Sequence, residues 1–239
     1  MRRLLLILSC LPALAIAVAA MATEPPPRVL IFSKTAGFRH ASIPTAVATL
    51  QRLAADEGLA ADHTENAADF TPANLAHYRV VVFASTTGDV LDAAQQNAME
   101  GFVRHGGGYL GVHAAADTEY DWPWYGHLVG AYFHSHPAGL QSTRITPEPS
   151  GAPWSIRDEL YNYRSNPRGH VRIVATLDES LYQGGTMGKD HPIIWCHPFD
   201  GGRAWYTGLG HDPAVYTDAN FLAMLRRGLR YVTGRSNDC

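Results

Sequence analysis

Apolar residues form short continuous runs at intervals along the chain. Such runs, bounded by prolines or turn residues, are typical of strands that are buried on both faces. They predict strands at 28–33, 79–85, 109–113, 171–177, 193–196 and 203–207. Other segments carry apolar positions at helical spacing, which predict helices over 42–57, 92–106 and 218–232.

Two helix boundaries have supporting residues. Gly58 follows the first predicted helix and is expected to end it. Asp92 is followed three residues later by Gln95, a spacing that predicts a capping box at the start of the second helix.

Strands that alternate with amphipathic helices predict β-α-β units. The fold class is therefore α/β, with a mostly parallel central sheet covered on both faces. Ligands bind such sheets at the carboxyl ends of the strands. The segments predicted to share that rim are 34–40, 85–88 and 113–119.

The first residues have the pattern of a secretory signal. Arg2 and Arg3 precede an apolar run, and Ala20-Met21-Ala22 offers small residues for cleavage. An uncleaved anchor is the alternative, which Pro12 inside the run disfavours. The expected organisation is a cleaved signal peptide at 1–22, a proline-rich leader at 23–27, a single domain at 28–234 and a tail at 235–239.

Charge and cysteine content narrow the function. Loss of residues 1–22 removes two arginines and no acids, which takes the net charge from −3 to −5. An acidic chain without a basic run does not predict the positively charged surface that nucleic-acid binding needs. The mature chain is expected to be periplasmic or secreted, with no stable membrane span. Cys196 and Cys239 could pair there, but two positions do not decide it.

His113 ends a predicted buried strand two residues after Gly111, a small residue that would let the backbone turn sharply. A sharp turn at that point would present the imidazole as a nucleophile elbow presents its serine. Histidine in this position could act as a base, a nucleophile or a metal ligand. The alternative is a hydrogen-bonded histidine that closes the end of the strand.

Acids and tryptophans follow His113 closely. Asp117, Glu119 and Trp122 combine carboxylates with an aromatic face, a composition that suits the polar edges and apolar C–H faces of a sugar. A capped helix start with core tryptophans would have a similar composition.

Twelve histidines allow a divalent metal without defining its ligands. His134-Ser-His136 has a spacing compatible with a metal. Four further candidates lie next to turn residues: His40, His191, His197 and His211. Histidines along a rim are equally typical of a polyol-binding pocket. No cofactor is predicted, because the glycines at 106–108 precede their strand and so do not form a dinucleotide-binding loop.

A further polar cluster, Asp158-Glu-Leu-Tyr161, contains Glu159. A carboxylate paired with histidine is the usual arrangement for acid–base chemistry, and Glu159 with His211 is one pair that the fold could bring together. An exposed acidic turn is the alternative.

Several ordered motifs together resemble the ThuA-like, or trehalose-utilisation, family. They are Thr35-Ala-Gly-Phe-Arg-His40, the 106–115 strand and turn with Asp117-Thr-Glu-Tyr-Asp-Trp122, His136-Pro137, Asp158-Glu-Leu-Tyr161, the 184–192 segment and Gly201-Gly-Arg-Ala-Trp-Tyr-Thr-Gly-Leu-Gly-His211. The resemblance covers about 28–234 and implies a flavodoxin-like three-layer sandwich of the class I glutamine amidotransferase-like superfamily.

The resemblance also bears on chemistry. Amidotransferases of this superfamily carry a cysteine nucleophile at the elbow, where this chain has His113, so glutamine hydrolysis through a thioester is not expected. Family members accompany oxidoreductases that produce 3-keto-glycosides, which implies a link to sugar catabolism.

The leading hypothesis is an enzyme that acts on a glycoside or 3-keto-glycoside by acid–base chemistry. Its expected catalytic residues are His113, Glu159 and His211. Its expected contacts with a small carbohydrate ligand are His40, Asp117, Glu119, Trp122, His136 and Tyr161. The alternatives are a non-catalytic carbohydrate-binding or sensing protein and a metal-dependent hydrolase.

Overall fold

The structure is a computed structural model that describes residues 25–239. The predicted signal peptide lies outside the described residues. Within the described range, no helix has both the length and the apolar character needed to cross a bilayer.

The described chain alternates strands and helices in its first half and is rich in strands in its second. The strands are β1 (Arg28–Phe32), β2 (Ala60–Thr64), β3 (Val80–Ala84), β4 (Gly108–Val112), β5 (Phe133–Ser135), β6 (Gln141–Pro147), β7 (Trp154–Asp158), β8 (Asn162–Tyr163), β9 (Arg172–Leu177), β10 (Pro192–Phe199) and β11 (Gly202–Thr207). The α-helices are α1 (Ile43–Asp56), α2 (Pro72–Leu75), α3 (Ala93–Arg104), α4 (Pro123–Val129) and α5 (Ala219–Val232).

A nine-stranded sheet runs through the molecule in the order β2-β1-β3-β4-β11-β10-β9-β6-β7. The α/β class is confirmed, and the neighbours from β2 to β11 are parallel as predicted. Every residue of β3 and β4 is buried, as expected of strands covered on both faces. On one side α1 packs beside α5, while α2 contacts α3.

The parallel pattern does not continue into the last strands. β10 and β11 are antiparallel, because only Asp200 and Gly201 connect them and so short a hairpin must reverse the chain. Both connecting residues have positive φ, 45° and 93°, which a tight hairpin turn needs. β9, β6 and β7 extend the sheet, also with antiparallel pairing.

The predicted strand and helix positions agree with the structure to within two residues, except that β10 continues three residues beyond its predicted end. The capping box of α3 is confirmed, since the Asp92 carboxylate accepts from the Gln95 amide at 2.9 Å and the Gln95 side chain accepts from the Asp92 amide at 2.9 Å. Strands β2, β5, β6, β7 and β8 are additional to those predicted. β2 has no fully buried position, buried and exposed positions alternate in β7 and along most of β6, and β5 and β8 are only three and two residues long, so none of them has the continuous apolar run of the central strands.

The C-terminal residues pack against the domain. Cys239 forms a disulfide with Cys196 of β10, with the two Cα atoms 6.1 Å apart. The Arg203 guanidinium donates to the Ser236 carbonyl at 2.8 Å, so the segment predicted as a tail lies against β11.

Candidate functional site

The carboxyl ends of the parallel strands meet at one edge of the sheet. Thr35 bridges to Thr87, and Gly88 bridges to Thr118, which places the loops after β1, β3 and β4 side by side as predicted. The backbone turns sharply after two of these strands, because Ser85 and His113 both have positive φ, 52° and 50°. Non-glycine residues seldom adopt this conformation, and it is concentrated at functional sites.

His113 is fully buried at the end of β4. Its Nδ1 donates to the Gly208 carbonyl at 2.9 Å, which directs Nε2 towards the Glu159 carboxylate. The expectation that Gly111 provides the sharp turn is corrected, because the positive φ belongs to His113 itself. Gly111 is needed for space, since a Cβ there would lie 2.7 Å from the Tyr109 hydroxyl oxygen.

Glu159 follows β7 and lies at the centre of the site. One carboxylate oxygen is 3.4 Å from His113 Nε2 and 3.1 Å from His211 Nδ1, and the other is 3.3 Å from His136 Nδ1. Burial alone would raise the pKa of Glu159, but the adjacent His113 and His211 outweigh it and hold the pKa well below its usual value. Glu159 is therefore ionised at neutral pH.

The neighbouring Asp158 positions the loop that carries His211. This carboxylate is fully buried and accepts from the backbone amides of Gly210 at 2.7 Å and Asp212 at 2.8 Å. His211 is thereby held against Glu159, which raises the pKa of the imidazole above its ordinary value.

His40 closes the site from the loop after β1. Its ring meets those of His113 and His211 edge to face, with centroids 4.8 and 5.1 Å apart. Burial, reinforced by these two imidazoles, lowers the pKa of His40 to about 3, so the ring is neutral at physiological pH.

We call His40, His113, Glu159 and His211 the Glu159 cluster. One nitrogen or carboxylate oxygen from each residue lies within 4.8 Å of the others. Three of these nitrogens, His40 Nδ1, His113 Nε2 and His211 Nδ1, are buried without a partner in hydrogen-bond geometry.

A cavity of about 220 Å³ opens beside the cluster. It is lined by Phe38, His40, Asp117, Phe133, His136, Glu159, Tyr161 and His211. Six of these residues are among those selected from the sequence. Phe38 and Phe133 were not selected, although each lies within three residues of a selected histidine, and proximity to His40 and His136 is the signal that could have identified them.

Asp117 and Tyr161 supply different surfaces to this cavity. Burial raises the pKa of Asp117, whose carboxylate accepts a 2.6 Å hydrogen bond from the Tyr120 hydroxyl. The Tyr161 ring packs against that of His113 at a tilt of 34°, with centroids 4.2 Å apart, and burial raises the pKa of the Tyr161 hydroxyl. The cavity therefore combines acceptor groups with aromatic faces.

Glu119 and Trp122 do not line the cavity, contrary to the expectation that they contact ligand. The Glu119 carboxylate accepts from the amides of Val90 and Leu91, both at 2.8 Å, and so it holds the loop before α3. The Trp122 indole donates to Glu100 at 3.1 Å and stacks on Trp124. Both belong to the packing around α3 and α4.

The histidines proposed from sequence as metal candidates also separate. His134 is exposed, outside the Glu159 cluster. His191 contacts Glu179 at 2.6 Å, and His197 donates to the Leu128 carbonyl at 3.0 Å. The His134-Ser-His136 pair therefore does not bring two ligand atoms together. The histidines whose ligand atoms do lie together are His40, His113 and His211.

A central sheet that is parallel from β2 to β11, with helices packed against it and a histidine–carboxylate cluster beside its carboxyl edge, defines an α/β protein of flavodoxin-like architecture. The family model described as "ThuA: Trehalose utilisation" matches residues 28–232. The chain belongs to this family, which associates it with carbohydrate metabolism.

Solved structures agree on the fold. A putative ThuA-like protein from Bacteroides uniformis ATCC 8492 is 21% identical, with a TM-score of 0.73 over 90% of this chain and 94% of that chain. A putative ThuA-like protein from Parabacteroides merdae ATCC 43184 is 17% identical, with a TM-score of 0.74 over 88% of this chain and 91% of that chain.

A β-galactosidase from Bacillus circulans sp. alkalophilus shares the fold over 87% of this chain but only 31% of its own, with 14% identity and a TM-score of 0.57. A search of curated proteins gives no significant match.

Proposed function

We propose that this protein is an enzyme that acts on a glycoside or 3-keto-glycoside by acid–base chemistry at the Glu159 cluster. The observation that carries the proposal is one buried, ionised carboxylate in contact with several imidazoles at the edge of a cavity. Groups that exchange protons and lie within reach of a bound ligand are what acid–base catalysis needs.

The cavity supports a sugar as the ligand. Phe38, Phe133 and Tyr161 offer aromatic faces for the C–H side of a ring, while Asp117 and His136 offer polar atoms for hydroxyl groups. The family's description as trehalose utilisation points to the same class of compound.

A 3-keto group defines a reaction that this cluster could perform. The ketone acidifies the hydrogen on C2, so a base can remove that proton and leave negative charge on the keto oxygen. The electrons then form a double bond between C1 and C2 as the bond from C1 to the glycosidic oxygen breaks. That oxygen leaves as an alcohol after it takes up a proton.

The two histidines beside Glu159 have different positions. His113 is fully buried and acts by positioning Glu159, whereas His211 reaches the cavity.

The test is to incubate the mature protein with trehalose and with 3-keto-trehalose and to follow products by NMR and mass spectrometry. We expect cleavage of the keto-sugar, and a loss of at least about 100-fold in kcat/KM for Glu159→Gln and His211→Ala. His134→Ala is the matched control, because this histidine lies outside the cluster. Saturable binding without product would instead indicate a sensing protein and overturn the proposed reaction.

The compartment is part of the proposal. We infer that the mature chain works in the periplasm or outside the cell, because the first residues have the pattern of a cleaved signal and the Cys196–Cys239 disulfide suits an oxidising compartment. N-terminal sequencing of the native protein should find a chain that begins near residue 23. A full-length chain that retains Arg2 would contradict the predicted cleavage.

A further inference from the structure

We propose that the Glu159 cluster is a mononuclear site for a divalent first-row transition-metal ion, with His40, His113, Glu159 and His211 as its ligands. The inference rests on the proposed function, because it places a metal ion at the site where the proposed reaction would occur.

The first argument is the unpartnered nitrogens. Imidazole nitrogens buried away from water normally find a hydrogen-bond partner, because a buried polar atom without one costs about 1–3 kcal/mol. Here His40 Nδ1 has no partner, and His113 Nε2 and His211 Nδ1 face the Glu159 carboxylate at 3.4 and 3.1 Å without hydrogen-bond geometry. A shared cation satisfies all three lone pairs at once.

The second argument is spacing. A tetrahedral ion about 2.05 Å from each ligand holds neighbouring ligand atoms about 3.3 Å apart. Glu159 lies 3.4 Å from His113 Nε2 and 3.1 Å from His211 Nδ1, and the full set falls within 4.8 Å.

The third argument is the support behind the ligands. Metal-binding histidines usually donate their other ring nitrogen to a carbonyl or carboxylate, which fixes the tautomer. His113 does so through Nδ1 to the Gly208 carbonyl at 2.9 Å. Asp158 holds the loop of His211 through two backbone amides, so a second ligand is also oriented by a buried carboxylate.

The donor set selects the class of metal. Three imidazole nitrogens and one carboxylate oxygen suit Zn²⁺, Mn²⁺, Fe²⁺ or Co²⁺, whereas Ca²⁺ and Mg²⁺ prefer oxygen ligands throughout. The ligand charge is −1, so a bound divalent ion leaves one net positive charge beside the cavity.

The cavity gives the site the form of a catalytic centre. His40, Glu159 and His211 line the cavity while His113 lies buried behind them, so an ion that takes ligands beyond these four would take them from the cavity side. An ion there would bind the keto oxygen and stabilise the negative charge that develops on it as the C2 proton leaves. With the metal bound, the lone pairs of Glu159 and His211 would be occupied, and a water made acidic by the same ion would take over the proton transfers proposed for these side chains.

The experiment uses the mature chain without a His tag, stripped with chelator and titrated with Co²⁺. We expect one equivalent to bind, with d–d absorption in the visible range and a raised Tm. His40→Gln and Glu159→Gln should weaken binding by at least about 100-fold, beyond the loss usual for a supporting residue. His134→Ala, which removes an exposed imidazole from the neighbouring segment, should bind as the wild type does. Circular dichroism checks that each variant is folded.

The outcomes for the metal and for the reaction are separable. No saturable Co²⁺ binding, or affinity unchanged in both folded variants, would overturn the metal site. One bound Co²⁺ without turnover of the keto-sugar would leave the metal site standing and overturn the proposed reaction. Full turnover by chelated, metal-free protein would leave the proposed reaction standing and overturn the role of the metal in it.

Discussion

Burial decides what a histidine contributes to this protein. His197 on β10 is buried, and its Nε2 donates to the Leu128 carbonyl at 3.0 Å. Burial lowers the pKa of His197, and the hydrogen bond to Leu128 offsets only part of that effect. The folded protein therefore resists protonation at this position, whereas the unfolded chain does not.

We predict that His197 makes the protein less stable in mild acid. Because the folded pKa lies below the unfolded value of about 6.5, the contribution of His197 to stability is complete above that pH and is lost as pH falls below it. His197→Gln keeps a donor for Leu128 but does not titrate.

Urea unfolding between pH 7.5 and 5 should show a slope of unfolding free energy against pH that is shallower in His197→Gln by up to ~1.4 kcal/mol per pH unit. Identical slopes in the wild type and His197→Gln would show that His197 does not contribute to the pH dependence of stability. At pH 7.5 His197 and its glutamine replacement are both neutral, so the difference in unfolding free energy between the two proteins measures packing alone.

Glu119 is predicted to stabilise the fold without contacting ligand. Glu119→Ala removes the acceptor for the amides of Val90 and Leu91 and leaves them buried, which should cost about 2–4 kcal/mol in chemical denaturation. Asp121→Ala, two residues along and exposed, is the matched control and should change little. A stable Glu119→Ala protein with weakened sugar binding would restore the role expected from the sequence.

At the scale of elements, two helical glycines should respond to alanine in opposite directions. Gly228 of α5 lies against Trp205, and a Cβ would be 2.8 Å from the indole ring. Gly101 of α3 has nothing within 4 Å of the same position. Gly228→Ala should destabilise by about 1–3 kcal/mol through overpacking. Gly101→Ala should stabilise by about 0.5–1 kcal/mol through reduced backbone entropy.

Thermal unfolding of both variants is the measurement. A Gly228→Ala protein as stable as the wild type would mean that α5 can move away from β11 at little cost. Loss of stability in Gly101→Ala would show that the space beside Gly101 is not free for a methyl group.

For the whole molecule, the disulfide ties the C-terminus to the sheet. Cys196 and Cys239 are both buried and are 43 residues apart in sequence. Cys239→Ser should lower the free energy of unfolding by about 2–4 kcal/mol, because the unfolded chain is no longer cross-linked. Dithiothreitol should lower the Tm of the wild type and leave that of Cys239→Ser unchanged. A wild type insensitive to the reductant would contradict the pairing.

The central strands could be predicted from the sequence because burial on both faces requires continuous apolar residues. The runs at 28–33, 79–85 and 109–113 lie within about a residue of β1, β3 and β4 for that reason. The antiparallel extension was not predicted. The direction of β10 depends on the length of the turn at Asp200 and Gly201 and on which neighbour the strand pairs with.

The residues of the candidate site were also only partly predictable from the sequence. Local pattern selected His40 and His113, because residues that follow parallel strands converge at one edge of the sheet whatever their separation in sequence. Glu159 was selected as a carboxylate that could pair with histidine. Only the tertiary structure decided that Glu159 contacts His113 and His211, that His134 lies outside the cluster, and that Glu119 supports α3. The physical reason is that strand and helix periodicity depend on neighbouring residues, whereas side-chain contacts depend on how distant loops are folded against one another.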